Sequence, residues 1–109
     1  MDDYELGDVV NVYFPFEENP AETKYRPAVI IEDLDDECVL VKCTKTEVSL
    51  HGKQCILISK GSTEGRTMGL TEKTYISVNE ELIIKKYHIH SYRGSCPDHI
   101  MALIEELKG

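Results

Sequence analysis

The rhythm of the apolar residues constrains the fold most, and it changes once, at Pro97. Before that point apolar residues either alternate with polar ones or gather in short runs, the two signatures of β-strands. Val10, Val12, Phe14 and Phe16 occupy every second position after Gly7-Asp8, so a half-buried strand is predicted there, with Pro15 ending its pairing. Pro27-Ala28-Val29-Ile30-Ile31 is continuously apolar and reads as a strand covered on both faces; the acidic turn Glu32–Glu37 follows it. Cys38–Cys43 and Gln54–Ser59 are two more runs of the same kind, and Thr74–Val78 with Leu82–Ile84 make two strands or one bent one. The stretch Lys60–Met68, rich in Gly, Ser and Thr, is predicted to be an exposed loop. After Pro97 the period becomes helical: Ile100, Leu103, Ile104 and Leu107 fall at i, i+3, i+4 and i+7. Ser95 or Cys96 is placed to cap that helix, with Pro97 in its first turn. Short strands, hairpin-scale connections and one terminal helix describe a mostly β chain, a small barrel closed by a C-terminal helix.

At 109 residues the chain fits one domain, 1–109, with no repeat or linker visible. No apolar run reaches the roughly 20 residues a bilayer span needs. The start Met1-Asp2-Asp3-Tyr4-Glu5 is acidic where a secretory signal is basic and then apolar, so a cytoplasmic location is expected. In that reducing compartment Cys38, Cys43, Cys55 and Cys96 read as thiols, not disulfides. Their spacing has no paired CxxC, and His88-x-His90 on one face of a strand is too little for a metal site; no metal and no cofactor are expected.

The net charge of −8 argues against nucleic acid only if it is spread evenly. It is not: residues 1–37 hold twelve acids and two bases, and residues 38–109 hold eight acids and ten bases. A basic groove can coexist with an acidic face elsewhere.

Gly7-Asp8-Val9-Val10 leading to Tyr13-Phe14-Pro15-Phe16, then Tyr25-Arg26-Pro27-Ala28-Val29-Ile30-Ile31, resembles the opening of the MazF/PemK family of toxins from toxin–antitoxin pairs. Cys43-Thr44, closing the run Val39-Leu40-Val41, resembles that family's strand ending in a hydroxyl residue, and Gly69-Leu70 through Tyr75-Ile76-Ser77-Val78 fits the remainder. The resemblance implies an SH3-like β-barrel of the MazF/CcdB kind, a homodimer, and metal-independent, sequence-specific cleavage of single-stranded mRNA through the substrate's own 2′-hydroxyl. It also implies a cognate antitoxin partner, and it carries two catalytic positions onto this chain, Arg26 and Thr44.

The residue chemistry suits those roles. Guanidinium is a planar fork of donors that matches phosphate oxygens and stays charged at any working pH. A threonine hydroxyl adds one neutral donor. Glu22, four residues before Arg26, and His51, in the loop after the third strand, are candidates for proton transfer. Lys24, Tyr25, Lys42, Lys45 and Lys53 are candidates for RNA binding, the lysines along the backbone and the tyrosine under a base. The competing reading is a non-catalytic, toxin-like barrel that binds a protein target, or a degenerate member of the family.

Overall fold

In the computed structural model, residues 4–13, 25–45 and 54–109 are described. Six strands form one antiparallel sheet: β1 (Asp8–Tyr13), β2 (Tyr25–Leu34), β3 (Glu37–Thr44), β4 (Cys55–Ile58), β5 (Thr74–Lys85) and β6 (Ser91–Ser95). The spatial order is β4-β5-β3-β2-β1-β6, so the sheet curls into a half-barrel with β4 and β6 as its edges among the described residues. Among the described residues two α-helices accompany it, α1 (Thr63–Thr67) and the C-terminal α2 (Asp98–Lys108). The fold is the mostly β arrangement with a terminal helix that the apolar rhythm predicts.

Both faces of the sheet are covered. Val9, Val29, Val41, Cys43, Ile76 and Val78 pack with Ile100 and Ile104 of α2 in one cluster. Val10, Val12, Ala28, Ile30, Cys38 and Leu40 pack with Ile89 in a second. Neighbouring residues of a strand point to opposite faces, so the run Ala28-Val29-Ile30 feeds both clusters, as its continuous apolarity requires. In β1 the strict alternation understates burial, because Val9 and Val10 are both fully buried. Phe14, Pro15 and Phe16 lie outside the described residues.

Three irregularities let the sheet curl. Ile31 is extra in β2 between the pairs Ile30↔Leu40 and Glu32↔Val39, and Arg93 is extra in β6 between Val9↔Gly94 and Val10↔Tyr92. In β5 the register jumps from Val41↔Glu81 to Lys42↔Ser77. Three residues of β5 are unmatched there, an odd number, so the face served by its even positions is exchanged. Ile76 and Val78 therefore join the α2 side, while Leu82 and Ile84 pack against the other cluster. One bent strand replaces the alternative of two.

Two expectations need correction. The segment 60–68 is not an exposed loop: Ser62 caps α1, its side chain accepting from Gly65 N at 3.0 Å. The helix then ends in a Schellman arrangement, in which Gly69 N donates to Arg66 O (3.1 Å) and Leu70 N to Gly65 O (2.8 Å). Met68, at its end, is fully buried. In α2 the N-cap is Pro97, with no side-chain cap from Ser95 or Cys96. Ile100 and Ile104 face inward, whereas Leu103 remains 40% exposed. The short helix leaves only two of the four spaced positions deep enough to bury fully. Pairing also extends to β6, a strand that carries too few apolar residues to announce itself.

The exit of α1 crosses β6 at two glycines. A Cβ on Gly94 would stand 2.7 Å from the Met68 carbonyl carbon and 2.9 Å from Gly69 N. Gly69 itself has φ +73°, and a Cβ there would meet the Arg93 carbonyl carbon at 2.8 Å. These obstacles are backbone atoms, which cannot swing aside. Gly94→Ala should therefore destabilise the protein by about 2 kcal/mol or more through overpacking, lowering the melting temperature by roughly 10 °C. An unchanged thermal melt would contradict the tightness of this crossing.

Candidate active site

The pairing of β2 and β3 brings Arg26 and Thr44 together. Ala28 pairs with Lys42, Val29 with Val41 and Ile30 with Leu40, and these adjacent strands run on past the last pair to Arg26 and Thr44 at the same end of the sheet. Both residues line a cleft of about 290 Å³ at this end of the sheet, with Tyr25, Pro27, Cys43, Lys45 and the segment Leu70–Glu72. Arg26 and Thr44 are half-buried, able to meet a ligand while held by the strands.

Sequence reasoning did not single out Arg93, which enters the same cleft. It is the extra residue of the β6 bulge, and a bulge re-aims its side chain. Its guanidinium is anchored at three points. Nε and Nη2 donate to Gly69 O at 3.2 and 2.8 Å, and Nη1 donates to Asn11 Oδ1 at 3.0 Å. The Asn11 amide is oriented in turn by donating from Nδ2 to Ser91 Oγ at 2.8 Å. A guanidinium has five N–H donors, so two of them are not used in these bonds. The missed signal was the bulge, which no single-strand pattern announces.

The predicted lysines divide. Lys45 lines the cleft and pairs with Glu72, another lining residue, and this pairing holds the Glu72 carboxyl below its usual range. Lys42 does not line the cleft; it faces Glu80 at 3.7 Å, with its side chain only 14% exposed. Glu22, Lys24, His51 and Lys53 lie outside the described residues. The two histidines read as sharing a strand face do not. His88 ends a single 3-10 turn and packs edge-on against Tyr87, while His90 stacks on Tyr25.

The back of the cleft includes a buried thiol. Cys43 is fully buried there, and burial pushes its thiol up to about 12, with Cys96 nearby adding to the rise. Cys96 is likewise pushed up to about 12, first by burial and then by Asp98. A thiol kept protonated is a poor nucleophile, so Cys43 contributes wall and not chemistry.

No family profile matches the sequence, and no curated protein matches it. Solved structures do match the fold. An endoribonuclease from a mycobacterial species, in complex with its cognate antitoxin, superposes with a TM-score of 0.65 at 16% identity, over 95% of this chain and 89% of that one. A second mycobacterial endoribonuclease gives a TM-score of 0.61, also at 16% identity, over 94% of this chain and 86% of the other. The barrel-like fold is therefore one that endoribonucleases use.

The thiol environments give a direct check. At about pH 8, iodoacetamide should label Cys55, which is only half-buried, well before Cys38, Cys43 and Cys96. Raised thiol pKa values leave almost no thiolate at that pH, and labelling of the three buried cysteines should appear only as the chain unfolds. Mass-spectrometric mapping that found Cys43 modified in the folded protein would refute its burial.

Proposed function

We propose that this chain is an endoribonuclease toxin of the MazF/PemK kind, one domain over residues 1–109, acting on single-stranded RNA and held in check by a cognate antitoxin. The observation that carries the reading is the cleft itself: Arg26, Thr44 and Arg93, from three strands, converge on one small half-buried space. Fold likeness alone would be analogy; the support lies in how well these donors suit one chemistry.

In that chemistry the 2′-oxygen of the substrate attacks the adjacent phosphorus while losing its proton. The bond from phosphorus to the 5′-oxygen breaks, and that oxygen leaves with a proton. The products are a 2′,3′-cyclic phosphate and a 5′-hydroxyl. Negative charge builds on the non-bridging oxygens as attack proceeds. Arg26 and Thr44 are assigned to those oxygens, and Arg93, already oriented, offers a second cationic fork without an ordering cost. Donors fixed before charge develops are usually the largest catalytic contribution. Tyr25 and Lys45 are assigned to flanking nucleotides. The proton-transfer role stays with Glu22 and His51 as candidates. Chemistry of this kind needs no metal, because the nucleophile and the charge-stabilising groups come from RNA and protein.

Three outcomes test the reading. Purified protein should cut a mixed-sequence RNA in EDTA and leave cyclic phosphate ends; cleavage that stops with chelator would exclude the mechanism. Arg26→Ala should slow cleavage about a hundredfold or more, Arg26→Lys should also be impaired because the fork is lost, and Thr44→Ala should lose less. The melting temperatures of these variants should stay near that of the parent, so an Arg26→Ala protein that melts early yet cleaves normally per folded molecule would make Arg26 a scaffold residue. A homodimer is part of the proposal, and sedimentation at micromolar concentration showing only the 12.4 kDa monomer would remove it.

A further inference from the structure

Tyr25, which lines the cleft and is assigned above to a flanking nucleotide, has two further aromatic rings packed against it, Tyr13 and His90. Tyr13 ends β1 and pairs across the sheet with Tyr25, the first residue of β2. Their rings meet edge to face, with centroids 5.7 Å apart and planes at 69°. His90, just before β6, lies almost flat on Tyr25, at 4.0 Å and 20°. Its position is fixed through the backbone, where His90 N donates to Asn11 O at 2.9 Å. Despite both neighbours, the Tyr25 residue remains 52% exposed, and it lines the cleft beside Arg26.

We propose that Tyr25, backed by His90 and flanked by Tyr13, is the platform on which one base of the RNA stacks, next to the phosphate held by Arg26. The inference rests on the ribonuclease reading of the cleft. A stack of rings that stays open to solvent contributes little to folding, since much of its area is not removed from water. It is well suited to binding a flat ligand, because the receiving ring has already lost its rotamer freedom against His90 and Tyr13. Nucleobases are such ligands, and base-on-aromatic stacking tolerates every base. The platform therefore supplies affinity and register along the strand, and leaves base identity to hydrogen bonds elsewhere.

The test uses short 2′-fluoro oligonucleotides, which lack the nucleophile and so report binding alone. Tyr25→Leu should weaken binding about tenfold, Tyr25→Phe should lose less because the ring remains, and His90→Ala should fall between them as the backing is removed. An abasic nucleotide is then walked through the oligonucleotide. At one position it should cost the parent protein about tenfold and the Tyr25→Leu variant little, the non-additivity expected of partners in contact. Parent-like binding by Tyr25→Leu, or losses that simply multiply at every position, would overturn the platform. So would a Tyr25→Leu variant that binds RNA normally but loses self-association or antitoxin binding, which would make the patch a protein interface. If the parent binds oligonucleotide with this coupling yet cleaves no RNA, the catalytic reading falls and the platform stands. A parent that binds none of the oligonucleotides sinks both.

Discussion

Every other feature of this molecule follows from the need to cover both faces of one sheet with little chain. A flat sheet of six strands needs a second layer on each side, and the described residues outside it offer α1, α2 and the segment around Ile89. The bulges resolve this by curling the sheet until it covers part of itself. The unmatched residues in β5 let the same strand send Ile76 and Val78 toward α2 and Leu82 and Ile84 toward the opposite cluster. The same device in β6 frees Arg93 from the ladder and turns it toward Gly69 and Asn11. Curvature that the core requires and the orientation of a functional side chain thus share one cause.

The crossing of Gly69 and Gly94 ties those two results together. Because neither residue carries a Cβ, the exit of α1 lies directly against the β6 backbone, and the Gly69 carbonyl comes within reach of the Arg93 guanidinium. The α1 exit is thereby a structural wall of the cleft, continued by Leu70, Thr71 and Glu72. Side-chain bulk at either glycine would move that wall and the arginine with it. Geometry at the cleft is thus held by backbone packing as well as by side chains.

Legibility in the sequence divides along physical lines. Strands whose burial is carried by their own residues, such as Pro27–Ile31 and Cys38–Cys43, announce themselves, because a short, continuously apolar stretch must be covered on both faces. Arg26 and Thr44 come from the resemblance, and the adjacency of β2 and β3 carries both to one cleft. What escaped depends on partners distant in sequence. β6, Ser-Tyr-Arg-Gly-Ser, is a strand because β1 lies beside it and not because of its own composition. Helix α1 was hidden by its Gly, Ser and Thr content, although Ser62 and Gly69 are helix punctuation at the right separation for one short helix. Arg93 and the Tyr25–His90 stack need the bulge and the fold to exist at all.

The charge distribution shows that recognition cannot rest on basicity. The acids Asp33, Asp36 and Glu37 sit at the tip of the β2–β3 hairpin, where Lys86 meets Asp33 at 2.7 Å and Lys85 meets Asp36 and Glu37 at 3.4 and 3.8 Å. Eight residues of β2 separate that tip from Arg26, at most roughly 25 Å of extended strand, well beyond the Debye length of about 8 Å at physiological salt. The acids of that hairpin tip therefore do little to repel a phosphate at the cleft, where Glu72 is the nearer carboxylate. Yet basic residues later in the chain are also spoken for, since Lys42, Lys45, Lys85, Lys86 and Lys108 all face carboxylates. These five lysines, already paired, would release few counterions on binding, so their electrostatic contribution is a modest, sequence-independent attraction. In the proposed reading the remaining affinity comes from directed contacts, two arginines whose forks suit phosphate and rings that suit bases. An acidic protein can act on RNA on those terms, because contact geometry carries the binding that bulk charge does not.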